Sequence, residues 1–174
     1  MSMARNVVVE VDCREQNPVS FPATLVWTPK RGSREVVRIK TVSKRLPYGD
    51  YRLAQYPKCC VVERKAGVDE LAANLLSRND RVRFSHAWAK FSTGCDYPVL
   101  LLDSSLHQTG SFKYDGGNRV ATPEDAMSAF WRLVVDCPRL TVIWAGTHRV
   151  PKRRTQLGAE LVRLMLACAE RGAS

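Results

Sequence analysis

The chain has 174 residues, enough for one domain with a substantial core, and 45% of them are hydrophobic, which excludes a disordered chain. Lys and Arg number 27 against 17 Asp and Glu, and the formal net charge of +10 favours polyanionic partners, nucleic acid first. No stretch approaches the roughly 20 apolar residues that cross a bilayer, and the apolar run Val7–Val9 is too short for a signal peptide, so no membrane partner is expected.

Val7–Asp12 is a β-branched run and predicts a first strand. Gln16–Pro22, with Pro18 and Pro22, predicts a loop. Ala23–Thr28 and Glu35–Val42 read as strands around Pro29-Lys30-Arg31-Gly32-Ser33, a hairpin with a basic tip. Leu46–Asp50 carries Pro47 and Gly49 and reads as a kinked entry into the next strand. Tyr51–Tyr56 and Cys59–Lys65 flank Pro57-Lys58, a plausible two-residue turn.

A helix opens at Gly67-Val68-Asp69 with Leu71, Leu75 and Leu76 as its apolar positions, and Ser77-Arg78-Asn79 interrupts it. A second helix places Phe84, Trp88 and Phe91 at i, i+4, i+7, a stripe facing the core. Tyr97–Asp103 is a short continuous apolar run, as in a buried strand. Ser104–Thr122 holds three glycines and reads as a long loop. Pro123–Asp136 predicts a helix with Met127, Phe130, Trp131 and Val134 inward. Leu140–Ala145 predicts another buried strand, and Gln156–Arg171 a helix with Leu157, Leu161, Leu164 and Cys168 on one face. Strands first, then alternating helix and strand, predict an α/β fold: a mixed central sheet flanked by helices on both faces. The six cysteines form no CxxC pair and share no zinc spacing with the three histidines, so they read as reduced structural thiols of a cytoplasmic protein.

The chemistry concentrates around the Tyr51–Lys65 hairpin. With Pro57-Lys58 as its turn, Tyr56 opposes Cys59 and Asp50 opposes Lys65. Glu63 and Lys65 are two residues apart on one strand, so they point the same way. Asp50, Glu63 and Lys65 would then share one face, with opposed side chains about 5 Å apart. Two carboxylates so placed can hold a hard divalent cation through oxygen. A lysine beside them can neutralise developing charge or orient an attacking water. An ion pair between Glu63 and Lys65 at a strand end is the structural alternative.

These residues resemble a family. Gly49-Asp50-Tyr51 followed by Val62–Asp69 (VERKAGVD) is similar to the GD…ERKxxxD signature of the XPF/Hef-type (ERCC4-like) structure-specific nucleases. Val11–Glu15 (VDCRE) resembles that family's VDxRE segment, Asn79-Asp80-Arg81 its NGR or DGR element with Asp80 in place of glycine, and Tyr97–Asp103 its buried PVLLIE-type strand. The resemblance covers the motif-bearing core, about residues 7–104, of a single nuclease domain spanning residues 1–174. It implies a restriction-endonuclease-like fold of the PD-(D/E)xK class. It also implies Mg²⁺ or Mn²⁺ held by Asp50 and Glu63, with Asp12 near the metal, Arg64 as a phosphate contact or organiser, and Lys65 as the catalytic lysine. Arg14, Glu15, Asp69 and Arg81 would form the surrounding shell. Asp69 is equally suited to be a helix N-cap.

Many relatives carry a C-terminal helix-hairpin-helix module or a helicase domain, and neither is expected here. Recognition would then fall to basic runs, namely Lys30, Arg31 and Arg34, the segment Lys40–Arg45, and Arg149–Arg154 with Lys152, Arg153 and Arg154. The implied partner is DNA in branched form, a flap, fork or junction, cut during repair, recombination or replication. Homodimer or heterodimer formation through the nuclease domain is also implied. A small nuclease of this kind would suit a phage or prokaryote, where it would associate with the nucleoid. Two other readings stand beside this one: a non-catalytic DNA-binding or scaffolding subunit, and a duplex-cutting restriction or nicking nuclease.

Overall fold

In the computed structural model, which describes residues 5–105, 114–115, 120–146 and 151–172, apolar strand residues alternate between two packed faces. The strands are β1 (Arg5–Asp12), β2 (Thr24–Trp27), β3 (Glu35–Lys44), β4 (Tyr51–Leu53), β5 (Cys60–Lys65), β6 (Tyr97–Leu102), β7 (Tyr114–Asp115), β8 (Val120–Ala121) and β9 (Thr141–Trp144). The helices are α1 (Val68–Leu76), α2 (Arg78–Gly94), α3 (Pro123–Val135) and α4 (Pro151–Gly172). Seven strands form one mixed sheet in the order β2-β3-β1-β4-β5-β6-β9. β1, β3, β5, β6 and β9 run one way, and β2 and β4 run against them.

Both faces are covered, as the sequence predicts. On one, Val7, Val9, Val11, Tyr51, Leu53, Val62, Val99 and Leu101 pack against Leu161, Val162, Met165 and Leu166 of α4. On the other, Val61, Leu100 and Leu102 pack against Leu71 and Leu75 of α1, the Phe84-Trp88-Phe91 stripe of α2 and Phe130 of α3. The apolar stripe of α4 is thus spent on the sheet. Ser77 closes α1 and caps α2 by accepting from the Asp80 amide, so the sequence break is a shared cap. Thr122 and Asp125 form a capping box that starts α3.

Four expectations change. The β4–β5 connection is not a two-residue turn: Tyr56 N–H donates to Leu53 O and Cys59 N–H to Tyr56 O, so the chain makes two successive turns between Leu53 and Cys60. Tyr51 therefore pairs with Val62 and Arg52 with Val61, which places Asp50 opposite Glu63 rather than Lys65. Trp131 is 49% exposed and packs edge-on against Phe130 instead of pointing inward, because Ala126 and Phe130 take the inner positions of α3. β9 is an edge strand, half-buried rather than buried, since only β6 flanks it. Within Ser104–Thr122, predicted as loop, the described residues include the two-stranded pair β7–β8. All six cysteines are free. Among the described residues, no helix is long and apolar enough to cross a membrane.

Candidate active site

A cleft of about 680 Å³ opens where β1 and β5 end and β4 begins. Its lining includes Asp12, Asp50, Glu63, Lys65, Glu70 and Arg83. The strand ends deliver the first four to one face. On β1, Glu10 and Asp12 alternate with the inward valines, and on β5, Glu63 and Lys65 alternate with Val62 and Arg64. Gly49 sets the entry of Asp50. It has φ +68°, and a Cβ there would sit 2.3 Å from Val61 Cγ1, so only glycine fits ahead of the aspartate.

Asp50 Oδ2 accepts the Arg64 amide at 2.7 Å, and Glu63 Oε1 accepts Lys65 Nζ at 2.7 Å. The other oxygen of each carboxylate has no hydrogen-bond donor among the described residues. Desolvation in the cleft wall, and then the Glu63 charge, push the Asp50 carboxyl up to about 8. Two carboxylates that repel one another, each with a spare oxygen, are a donor set for a hard divalent cation. Among the described residues no group of three or more His, Cys, Asp or Glu could hold a metal. Mg²⁺ commonly uses only one or two protein carboxylates and completes its shell with water, so the pair fits it.

Lys65 is 7% exposed and donates to Glu63 and, at 3.3 Å, to Glu70 Oε1. Burial alone would lower its pKa, but the Glu63 and Glu70 charges more than offset this and hold the ammonium above its usual value. Asp12 lines the cleft as expected, yet it offers no open ligand. Oδ1 accepts Arg14 N and Nε at 2.8 and 2.7 Å, and Oδ2 accepts Arg14 Nη2 and Leu46 N, both at 2.8 Å. Although burial pushes its carboxyl up, these bonds hold it at about 2. Asp12 therefore fixes the loop after β1 and orients Arg14.

Arg64, expected as a phosphate contact or an organiser of the site, also lines the cleft, together with Arg14 and Glu15. Its side chain leaves the sheet on the face opposite Glu63 and Lys65, bound by Asp103 and by Glu15 Oε1 at 3.1 Å. Only its backbone amide serves the carboxylate pair. Glu15, half-buried, belongs to this ion cluster around the buried Arg64 and also accepts the Asn17 amide. Arg81 is exposed on α2 and does not line the cleft, whereas Arg83 does. Asp69 lies in α1, and its side chain is outside those described. Glu70 was missed by sequence reasoning. Its only signal is an acid in the first turn of a helix that follows the lysine strand.

The basic runs part company. Lys152 and Arg153 are exposed in the first turn of α4, and Arg154 Nη2 donates to the Asn17 carbonyl at 3.0 Å, at the rim of the cleft. Lys30, Arg31 and Arg34 surround the β2–β3 turn, where the Lys30 amide bonds Glu170 near the other end of α4. A 22-residue helix is roughly 33 Å long, and these groups sit near its opposite ends. Lys44, at the cleft-side end of β3, is bound to Glu10. Arg149 lies outside the described residues.

The family model described as ERCC4 domain matches residues 11–150, most of the chain, and takes in β4, β5 and the cleft-side end of β1. The chain belongs to the ERCC4 domain family. This is the XPF-like family of structure-specific DNA nucleases. Among solved structures, XPF from Aeropyrum pernix matches with a TM-score of 0.56 and 19% identity, over 90% of this chain and 60% of that one. The same protein in complex with DNA matches with a TM-score of 0.54 and 17% identity, over 96% of this chain and 66% of that one. At these identities the likeness shows a shared fold. This ERCC4 chain spans about three fifths to two thirds of the XPF chains it matches. No curated protein matches it.

Proposed function

We propose that this ERCC4 chain is a divalent-metal-dependent endonuclease that hydrolyses phosphodiester bonds in DNA, with branched DNA as its substrate. One observation carries the reading. Asp50 and Glu63 stand opposite one another at the sheet's cleft edge, each with an oxygen that accepts no hydrogen bond from the described residues, and Lys65 is bonded to Glu63 beside them. The pair would hold Mg²⁺ or Mn²⁺. That ion would supply Lewis-acid polarisation of the phosphate and an acidified water.

The chain's own contribution is then positional and electrostatic. Lys65 places a fixed ammonium beside the carboxylates, where it can orient a water or neutralise charge building on phosphate. Arg83 at the cleft wall offers a phosphate contact, and the exposed Lys152 and Arg153 adjoin Arg154, which is bonded to Asn17 of the cleft lining. The related XPF solved with DNA supports a DNA partner. Branch preference, and homodimer or heterodimer formation, rest on the family resemblance.

The test is cleavage of flap, fork, plain duplex and single-stranded DNA with Mg²⁺, Mn²⁺ or EDTA. The reading expects metal-dependent cutting, fastest on a branched substrate. Equal cutting of plain duplex would indicate a restriction or nicking activity. Binding with no cutting under any metal would indicate a scaffolding subunit.

A further inference from the structure

Lys65 is clamped by two carboxylates, and only one of them belongs to the proposed metal pair. Its ammonium donates to Glu63 Oε1 at 2.7 Å and to Glu70 Oε1 at 3.3 Å. The Phe84 ring lies beneath it, 5.8 Å from nitrogen to centroid. Glu70 is itself anchored, because its Oε2 accepts the Ala66 amide at 2.8 Å. Its carboxylate is thus fixed to the chain one residue beyond the lysine it holds.

The two anchors differ in what a cation does to them. An ion on Asp50 and Glu63 would compete for the Glu63 oxygen and repel the ammonium. Glu70 is set by α1 and by the Ala66 amide, so it can keep hold of Lys65 in either state. Without it, the described residues would offer the ammonium no carboxylate hydrogen bond once Glu63 turned to the metal.

We propose that Glu70 is a positioning residue that retains the Lys65 ammonium in the cleft when Glu63 engages a metal ion. The signature shared with the family ends at Asp69, one residue earlier. The inference rests on the nuclease reading of the cleft for its purpose, but its physical content can be measured without turnover.

Glu70→Gln keeps an acceptor for the Ala66 amide, and the side chain is 43% exposed, so the fold tolerates it. NMR relaxation of the Lys65 Cε methylene, with and without saturating Mg²⁺, reads the anchoring directly. Wild-type Lys65 is expected to stay ordered in both states. In Glu70→Gln it should stay ordered without metal and lose order with Mg²⁺. Equal order in the two Mg²⁺-loaded proteins would overturn the proposal. In single-turnover cleavage at saturating Mg²⁺, Glu70→Gln should be slower by about tenfold or more. It should add nothing in a Lys65→Ala background. A full further loss in that background would give Glu70 a role independent of the lysine and also overturn the proposal. Wild-type protein that does not cut DNA, yet shows the Mg²⁺-dependent difference in Lys65 order, would remove the nuclease reading and keep the Glu70 anchor. Cutting with no difference in order would do the reverse.

Discussion

Asp50 and Glu63 face one another at the open end of β4 and β5, each with one oxygen committed and, among the described residues, one spare. Their committed oxygens are held by neighbours on the same strand: the Arg64 amide takes Asp50 and the Lys65 ammonium takes Glu63. The segment Glu63-Arg64-Lys65 therefore supplies one carboxylate, orients the other and places a cation beside both. Compact spacing in sequence becomes a compact site because β5 ends there.

The repulsion in this pair should be visible in stability. The Asp50 carboxyl has a folded pKa of about 8 against an ordinary value of 3.8. Between those values the folded state keeps a proton that the unfolded state has lost, so this contribution is present at low pH and lost as pH rises to about 8. Asp12 has the opposite sign. With its carboxyl held at about 2, its contribution is present above pH 3.8 and lost as pH falls toward 2. The melting temperature in EDTA should therefore fall from pH 5 to pH 8, and Asp50→Asn should flatten that fall. A wild-type profile that rises over this range would contradict the assignment.

Lys65 separates a structural from a chemical role. If it only offset the carboxylates before metal arrives, saturating Mg²⁺ should rescue Lys65→Ala. If its charge acts on the reacting phosphate or water, the single-turnover rate should stay about 10²–10³-fold low at saturating Mg²⁺, with DNA affinity kept. Recovery of the wild-type rate across a Mg²⁺ titration would move Lys65 to the structural role.

Arg64 should act mainly on stability. It is 7% exposed and offsets Asp103 and Glu15 on the sheet face away from Glu63. Arg64→Ala leaves those charges without their partner, and breaking such a buried pair costs about 3–5 kcal/mol. Urea unfolding measures this. A loss below about 1 kcal/mol together with a collapse in cleavage would instead make Arg64 a direct phosphate contact.

The two basic runs should differ on DNA. Replacing Lys152 and Arg153 with alanine should lower the slope of log affinity against log salt by about 0.9 per lost phosphate contact on duplex. Replacing Lys30, Arg31 and Arg34 should leave the slope unchanged on a short duplex, because they lie near the other end of α4. The reverse result would place the footprint on the β2–β3 turn.

Much of this was legible in the sequence, and the gaps have physical causes. Gly49-Asp50 and Glu63-Arg64-Lys65 are local signals, and the structure brings Asp50, Glu63 and Lys65 to one face. The expected register was out by two residues, because the β4–β5 connection makes two turns. An even slip preserves which face each side chain takes, so the site survived the error. The alternation along β5 also implies that the Arg64 side chain points away from Glu63. Asp12 was different. Its oxygens are taken partly by Leu46, 34 residues away, and no local pattern reports that bond. Glu70 meets Lys65 across a strand–helix junction, where neither the two-residue nor the 3.6-residue period applies. Burial at β9 depended on its place at the sheet's edge, which sequence order does not reveal.

The central claim, that Asp50 and Glu63 hold the metal of a DNA-cutting site, is tested most directly by Mg²⁺-dependent cleavage of a branched DNA by wild type, Asp50→Asn and Glu63→Gln. Each substitution removes one ligand charge with almost no change in volume. Asp50→Asn keeps an acceptor for the Arg64 amide, and Glu63→Gln keeps one for Lys65. The account predicts that wild type cuts with Mg²⁺ and not in EDTA. It predicts that both variants fold, bind the DNA and fail to cut. Near-normal Mg²⁺-dependent cleavage by either variant, or undiminished wild-type cleavage in EDTA, would contradict it.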